Sequence, residues 1–209
     1  MINELLNTDV LWQMSIAEKA AIFYLLGKMK SKTVAVEVGS YKGGFTRVLS
    51  RHFDKVYSLD IDHSQIVDKE QFKNVVWVQG DSRQTLPDLI DIIEPVNLIL
   101  IDGDHEYETV LADINNVLAY KPKGDMVLLI HDSWYAPTRE AINKAAWNDN
   151  PYVHLVEKDF VPGDLIGGPG GNFFVGGLAL AVLTTKKRRG AVKIGQAQDY
   201  MYRICLERV

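Results

Sequence analysis

Two hydrophobic periods alternate along this chain. Residues 16–29 repeat at helical spacing behind an S-x-x-E capping box, Ser15 to Glu18. TVAVEVG, 33–39, is a β-branched run that ends in glycine and reads as a strand. A helix over 42–53, a strand over 55–61, a helix over 64–72 and a strand over 74–80 follow. The next helix, 82–93, holds Pro87 near its first turn. VNLILID, 96–102, is almost continuously apolar, the pattern of a strand buried on both faces. Tyr107, Val110, Leu111, Ile114, Val117 and Leu118 mark one face of a further helix. A strand over 125–132, a helix over 138–148 and strands over 152–158 and 176–185 complete the series. Such alternation predicts right-handed βαβ crossovers. The expected fold is α/β: a doubly wound, mostly parallel, seven-stranded Rossmann-like sheet with an N-terminal helical extension. One segment breaks the rhythm. Residues 163–177 hold 7 of the 16 glycines and read as a long loop, a candidate lid.

Composition narrows the class. The chain has 209 residues, 47% hydrophobic and 24% charged, which excludes intrinsic disorder. No linker or repeat divides it. It reads as one domain, with a helical extension over 1–32, a core over 33–185 and a C-terminal extension over 186–209. No apolar run approaches the roughly 20 residues of a membrane span, and MINELLNTDV lacks the pattern of a signal peptide. The lone cysteine, Cys205, fits a reducing cytoplasm. A net charge of −4 argues against a general nucleic-acid binder. KKRR, 186–189, is the one compact basic cluster and reads as a solvated turn.

In open parallel sheets ligands bind beyond the carboxyl ends of the strands, so the chemistry is sought there. The first strand ends in EVGSYKGG, Glu37 to Gly44. A glycine turn into a helix suits a nucleotide-type cofactor. The acid Glu37 repels a pyrophosphate and attracts a cation, which favours S-adenosylmethionine over a nicotinamide dinucleotide. Asp60 ends the second strand at the distance where an acid meets ribose hydroxyls, and Asp62 competes with it. Asp81 and Ser82 follow the third strand, where Asp81 either meets an adenine amino group or caps the next helix. The fourth strand ends in IDGDHEYE, with Asp102, Asp104 and His105. The fifth ends in His131 and Asp132. Asp102 and Asp132 can face one point, and two carboxylates sharing a site call for a proton or a cation such as Mg²⁺. His131 joining them would favour a softer ion.

In this order the motifs resemble the class I S-adenosylmethionine-dependent methyltransferases, and within them the small-molecule O-methyltransferases of catechol and macrocin type, over about residues 33–185. The resemblance implies that Glu37, Gly39, Tyr41 and Gly43, with Ser40 between them, hold the methionine end. It implies that Asp60 holds the ribose and that Asp81 and Ser82 contact the adenine. It also implies a divalent metal, Mg²⁺ first, on Asp102 and Asp132, and a general base at His105. Asp132 departs from the pattern in its neighbours, which are His131 and Ser133 rather than an acid or amide. Trp134, Tyr135, Phe173 and Phe174 are candidates for an apolar wall beside a small-molecule acceptor. The N-terminal helix either covers the site or meets a second copy in a homodimer. Asn150-Pro151-Tyr152 resembles a base-holding motif of nucleic-acid methyltransferases but lies at the wrong strand. Two readings keep the fold and change the chemistry: a metal-dependent hydroxylase-like relative, and a cofactor-binding module without turnover.

Overall fold

The computed structural model describes residues 12–93, 95–168 and 171–207. MINELLNTDV, where no signal peptide is expected, lies outside the described residues. In chain order the elements are α1 (Ile16–Lys28), β1 (Val34–Val38), α2 (Gly44–His52), β2 (Lys55–Asp60), β3 (Val75–Gln79), α3 (Ser82–Ile92), β4 (Val96–Ile101), α4 (Tyr107–Ala119), β5 (Met126–His131), α5 (Ala136–Lys144), β6 (Val153–Val161), β7 (Asp164–Gly168), β8 (Gly171–Val175), β9 (Leu178–Leu183), β10 (Ile194–Gly195) and α6 (Asp199–Glu207). Eight strands form one sheet in the order β10-β6-β9-β5-β4-β1-β2-β3. The seven expected strands are all present, with the two-residue β10 added at one edge. β9 runs antiparallel between β5 and β6, and the other pairings are parallel. The strand order reverses between β1 and β4, so a crevice opens above their carboxyl ends.

Period-two alternation sorts the side chains of the central strands. Val36, Val38, Ile99, Ile101, Leu128 and Ile130 turn to the face covered by α3, α4 and α5. Ala35, Leu98, Leu100 and Leu129 turn to the face covered by α1 and α2, against Ile22, Phe23, Leu26 and Leu49. Glu37 and His131 have the parity of this second face, where Glu37 meets Thr46 of α2 and His131 meets Glu18 of α1.

Two local outcomes, at residues 64–72 and in the glycine-rich segment, differ from the sequence expectations, and two others add detail to them. Residues 64–72 form only a 3₁₀ turn at Lys69–Gln71. Asp68 stands in the left-handed region, and Phe72 is pinned edge-on to Trp77. Pro87 sits inside α3, and the Arg83 carbonyl it leaves without its helical donor accepts from Asn116 Nδ2 at 3.2 Å. The glycine-rich segment is a hairpin rather than a loop, β7 against β8, with Leu165 opposite Phe174 and Ile166 opposite Phe173. Cross-strand apolar pairs of this kind hold a hairpin despite its glycines. The C-terminal extension carries α6. Asp199 at its start pairs with Lys158 at 3.0 Å and Arg139 at 3.2 Å, and Tyr202 stacks on Phe174 at 4.9 Å. No helix among the described residues is long and apolar enough to cross a membrane.

Candidate active site

The glycine turn between β1 and α2 is built from left-handed backbone at Gly39, Tyr41 and Gly43. At Gly39 the need for glycine is absolute: a Cβ there would stand 2.1 Å from the carbonyl oxygen of Asp102. The turn therefore lies directly on the Asp102–Gly103 backbone. Two cavities of about 710 Å³ each open on either side of that contact, and Gly39, Tyr41, Asp102 and Gly103 line both. The first is floored by Asp60, Asp62, Asp81, Ser82 and Arg83 with Leu59 and Ile61. The second is walled by Trp12, Met14, Phe45 and Val175 and holds Glu18, Glu37, His105, His131 and Asp132.

Each acid of the sequence reading has a definite environment. Glu37 is 1% exposed and accepts from Thr46 Oγ1 and Ser58 Oγ. Burial pushes its carboxyl up to about 8, against the pull of those two hydroxyls. Asp60 Oδ2 accepts from the Ser40 amide at 2.7 Å, the Tyr41 amide at 3.1 Å and Ser40 Oγ at 3.1 Å, while Oδ1 accepts from the Asp62 amide. Burial works against its ionisation, but these donors hold the carboxyl below the usual range. Asp60 thus ties β2 to the glycine turn as well as facing the first cavity. Asp81 caps α3 through the Arg83 amide and pairs with the Arg83 guanidinium at 2.6 Å. Ser82 Oγ donates to Asp113 Oδ2 at 2.9 Å. Asp104 braces the entry to α4, accepting from the Glu106 amide and Thr109 Oγ1.

Asp102, His105, His131 and Asp132 converge as anticipated. Their ligand-type atoms all lie within 4.8 Å of one another. His131 Nδ1 is 2.7 Å from Asp102 Oδ1 and 3.3 Å from Asp132 Oδ2. His105 Nε2 is 2.8 Å from Asp132 Oδ2 and 3.6 Å from Asp102 Oδ1. Asp102 and Asp132 push the His105 imidazole up to about 9. Desolvation opposes the same effect on His131 and loses to Asp102. Burial also resists ionisation of the two aspartates, but the imidazoles hold both carboxyls below the ordinary range. Asp132 occupies the left-handed region, which aspartate tolerates better than most residues. Its Oδ1 accepts from the Gly176 amide, which joins the site to the hairpin exit.

Sequence reasoning missed Glu18. Its place in a local capping box accounts for it completely at sequence level. Yet Glu18 is 2% exposed, accepts from the Gly177 amide at 2.6 Å and lies 3.2 Å from His131 Nε2. No sequence signal marks a contact spanning 159 positions. The aromatic candidates divide. Trp134 and Phe174 turn inward against Tyr202, whereas Phe173 is exposed.

The environment of Glu37 sets a pH dependence. The folded chain keeps the Glu37 proton up to pH about 8, while an ordinary glutamate releases it near 4.5. The folded state therefore binds more protons between those values, and stability falls as pH rises through the window, on the order of a few kcal/mol. Urea unfolding at pH 5, 6.5 and 8 should show this slope in the wild type and a shallower one in Glu37→Gln. Equal slopes would mean that Glu37 ionises freely in the folded protein.

Residues 36–133 match a family described as "Methyltransferase domain". No curated protein matches the chain in sequence. Among solved structures, the chain is similar to an O-methyltransferase from Bacillus cereus in complex with SAH, at 18% identity and TM-score 0.58, covering 86% of this chain and 84% of that one. It is similar to an rRNA methylase from Streptococcus thermophilus, at 14% identity and TM-score 0.54, covering 84% and 100%. It is also similar to the N-methyltransferase NodS from Bradyrhizobium japonicum in complex with S-adenosyl-L-homocysteine, at 14% identity and TM-score 0.51, covering 88% and 95%. Residues 36–133 thus match a methyltransferase domain, and the fold around them is the one these solved methyltransferases share. The three neighbours are named for different acceptors, so the fold leaves the acceptor to the residues of the site.

Proposed function

We propose that the protein transfers the methyl group of S-adenosylmethionine to a hydroxyl oxygen of a small molecule, with a divalent ion held by Asp102, Asp132 and His131. The convergence of these three residues with His105, in the cavity that adjoins the nucleotide-sized groove at Gly39, carries the reading. Both groups fit the residues present. The glycine turn lies on the Asp102–Gly103 backbone and edges a cavity of about 710 Å³ lined by Asp60, Asp62 and Asp81, and two carboxylates beside two imidazoles are a donor set for a dication. The cofactor supplies an electrophilic methyl group, and a dication supplies a Lewis acid for the acceptor oxygen while compensating Asp102 and Asp132.

The chain does the rest. Glu37, once ionised, sets a negative charge opposite the cofactor ammonium. Asp60 and Asp62 face the ribose, while Asp81 and Ser82 edge the adenine end. Tyr41 and Ser40 shape the turn between the cavities. His105, held by the contact of its Nε2 with Asp132, takes the hydroxyl proton on its other ring nitrogen, Nδ1. Trp12, Met14 and Phe45 exclude water from the acceptor side. A cavity of about 710 Å³ suits a small molecule better than a polymer.

Calorimetric titration with S-adenosylmethionine tests the first half of the proposal, and no heat at millimolar cofactor would sink it. Methyl transfer to a panel of phenols and sugar hydroxyls tests the second half. Treatment with EDTA should abolish turnover, and added dication should restore it. Full activity after rigorous metal removal would assign the carboxylates another role.

A further inference from the structure

The proposed site leaves open which ion it takes and why Glu18 is buried beside it. Two observations bear on both questions. The first is the donor set. His131 is 7% exposed, and its Nδ1 forms short edges of 2.7 Å and 3.3 Å with Asp102 Oδ1 and Asp132 Oδ2. The shorter contact is itself a hydrogen bond, and edges of this length are also those between ligand atoms about 2.1 Å from a common ion. An imidazole in that position replaces an oxygen that Mg²⁺ would prefer, and it suits first-row transition ions.

The second observation is the far side of the same ring. His131 Nε2 is buried and has no aligned hydrogen-bond partner among the described residues. Glu18 Oε1 lies 3.2 Å from it. A small rotation of the imidazole would align the pair. A ligating histidine ordinarily donates its other N–H to a carboxylate, which fixes its tautomer and strengthens it as a ligand. Glu18 is held for such a role from two directions. The Ser15 amide donates to its Oε2 and the Gly177 amide to its Oε1. The neighbouring Gly176 amide donates to Asp132. The hairpin exit therefore grips both the carboxylate behind His131 and the one beside it.

We infer that His131 binds the ion through Nδ1, that Glu18 is the positioning residue behind it, and that the site takes a first-row transition dication in preference to Mg²⁺. This rests on the metal-assisted reading above. In consequence α1 and the hairpin are tied to the metal site, and ion binding stiffens the wall of the acceptor cavity.

The test uses full-length protein freed of metal by chelation and dialysis, with Co²⁺ as the probe followed by visible absorption and calorimetry. Wild type should bind Co²⁺ and keep it against Mg²⁺ in roughly hundredfold excess. Glu18→Gln should lose roughly 10- to 100-fold in Co²⁺ affinity, together with some metal-free stability, because one amide oxygen cannot accept from both the Ser15 and the Gly177 amides. Ser15→Ala is the structural control. It removes the capping partner, so it should lower the melting temperature and leave Co²⁺ affinity intact. Displacement of Co²⁺ by Mg²⁺ in wild type, which needs no variant, would overturn the inference. So would wild-type Co²⁺ affinity in Glu18→Gln. Selective Co²⁺ binding by a protein that does not bind S-adenosylmethionine would sustain this inference and overturn the methyl-transfer reading.

Discussion

Replacing His105 with alanine is expected to lower turnover by roughly 10²–10⁴-fold, the usual contribution of a general base, while S-adenosylmethionine binds as in wild type. The expectation follows from position. His105 stands on the acceptor side of Asp102 and Asp132, 2.8 Å from Asp132 Oδ2, and does not line the cavity assigned to the nucleoside. Its charge gives a second handle. With the carboxylates uncompensated, the imidazole keeps its proton up to pH about 9, and a protonated imidazole cannot accept another. The rate should therefore rise with pH toward an inflection no higher than about 9, and dication bound to Asp102 and Asp132 should move that inflection down. His105→Ala should lack the ascending limb. Rate–pH profiles of the two proteins, with cofactor affinity measured alongside by calorimetry, decide the matter. Wild-type turnover in the variant would remove His105 from the chemistry.

The second large effect is expected at Gly39. Alanine there must hold a φ of +85, which costs about 1–2 kcal/mol for a residue with a Cβ. It must also displace the backbone of Asp102 and Gly103, which stand 2.1 Å and 2.6 Å from the new atom. Neither is the end of a flexible side chain, so β1 and β4 must part at their carboxyl ends. Gly39→Ala should melt several degrees lower than wild type and lose detectable cofactor binding, because the contact it breaks is the floor shared by both cavities. Gly190→Ala is the natural comparison. Gly190 also has a positive φ, but a Cβ added there would meet nothing within 4 Å. It should lose some stability to strain and keep the cofactor. Equal cofactor affinity in wild type and Gly39→Ala would show that the turn does not form the binding floor.

Much of this protein is legible in one dimension. The seven strands of the sheet are visible because buried central strands must be apolar and β-branched whatever surrounds them, as in VAVEV and VNLILI. The strand ends are visible because ionisable residues after such runs, Asp60, Asp102, His105 and Asp132, need a purpose to stand there. Even the capping box at Ser15 is local chemistry. What escaped the sequence is what depends on distant partners. Residues 64–72 have helical composition, but the burial of Phe72 against Trp77 and the left-handed Asp68 leave a single turn. Residues 163–177 look like a loop because glycines dominate, yet Leu165–Phe174 and Ile166–Phe173 pairing makes a hairpin.

Residue types and their order along the chain, governed by short-range sterics and burial, determined the fold class, the strand ends and the acids that stand on them. The tertiary structure alone decided how those acids are used. It turned Asp60 back onto the glycine turn and brought Glu18 to His131 from more than half the chain away. Charge interactions fall off over a few ångströms and depend on burial, so they are settled by distances in the folded molecule, which spacing along the chain does not contain.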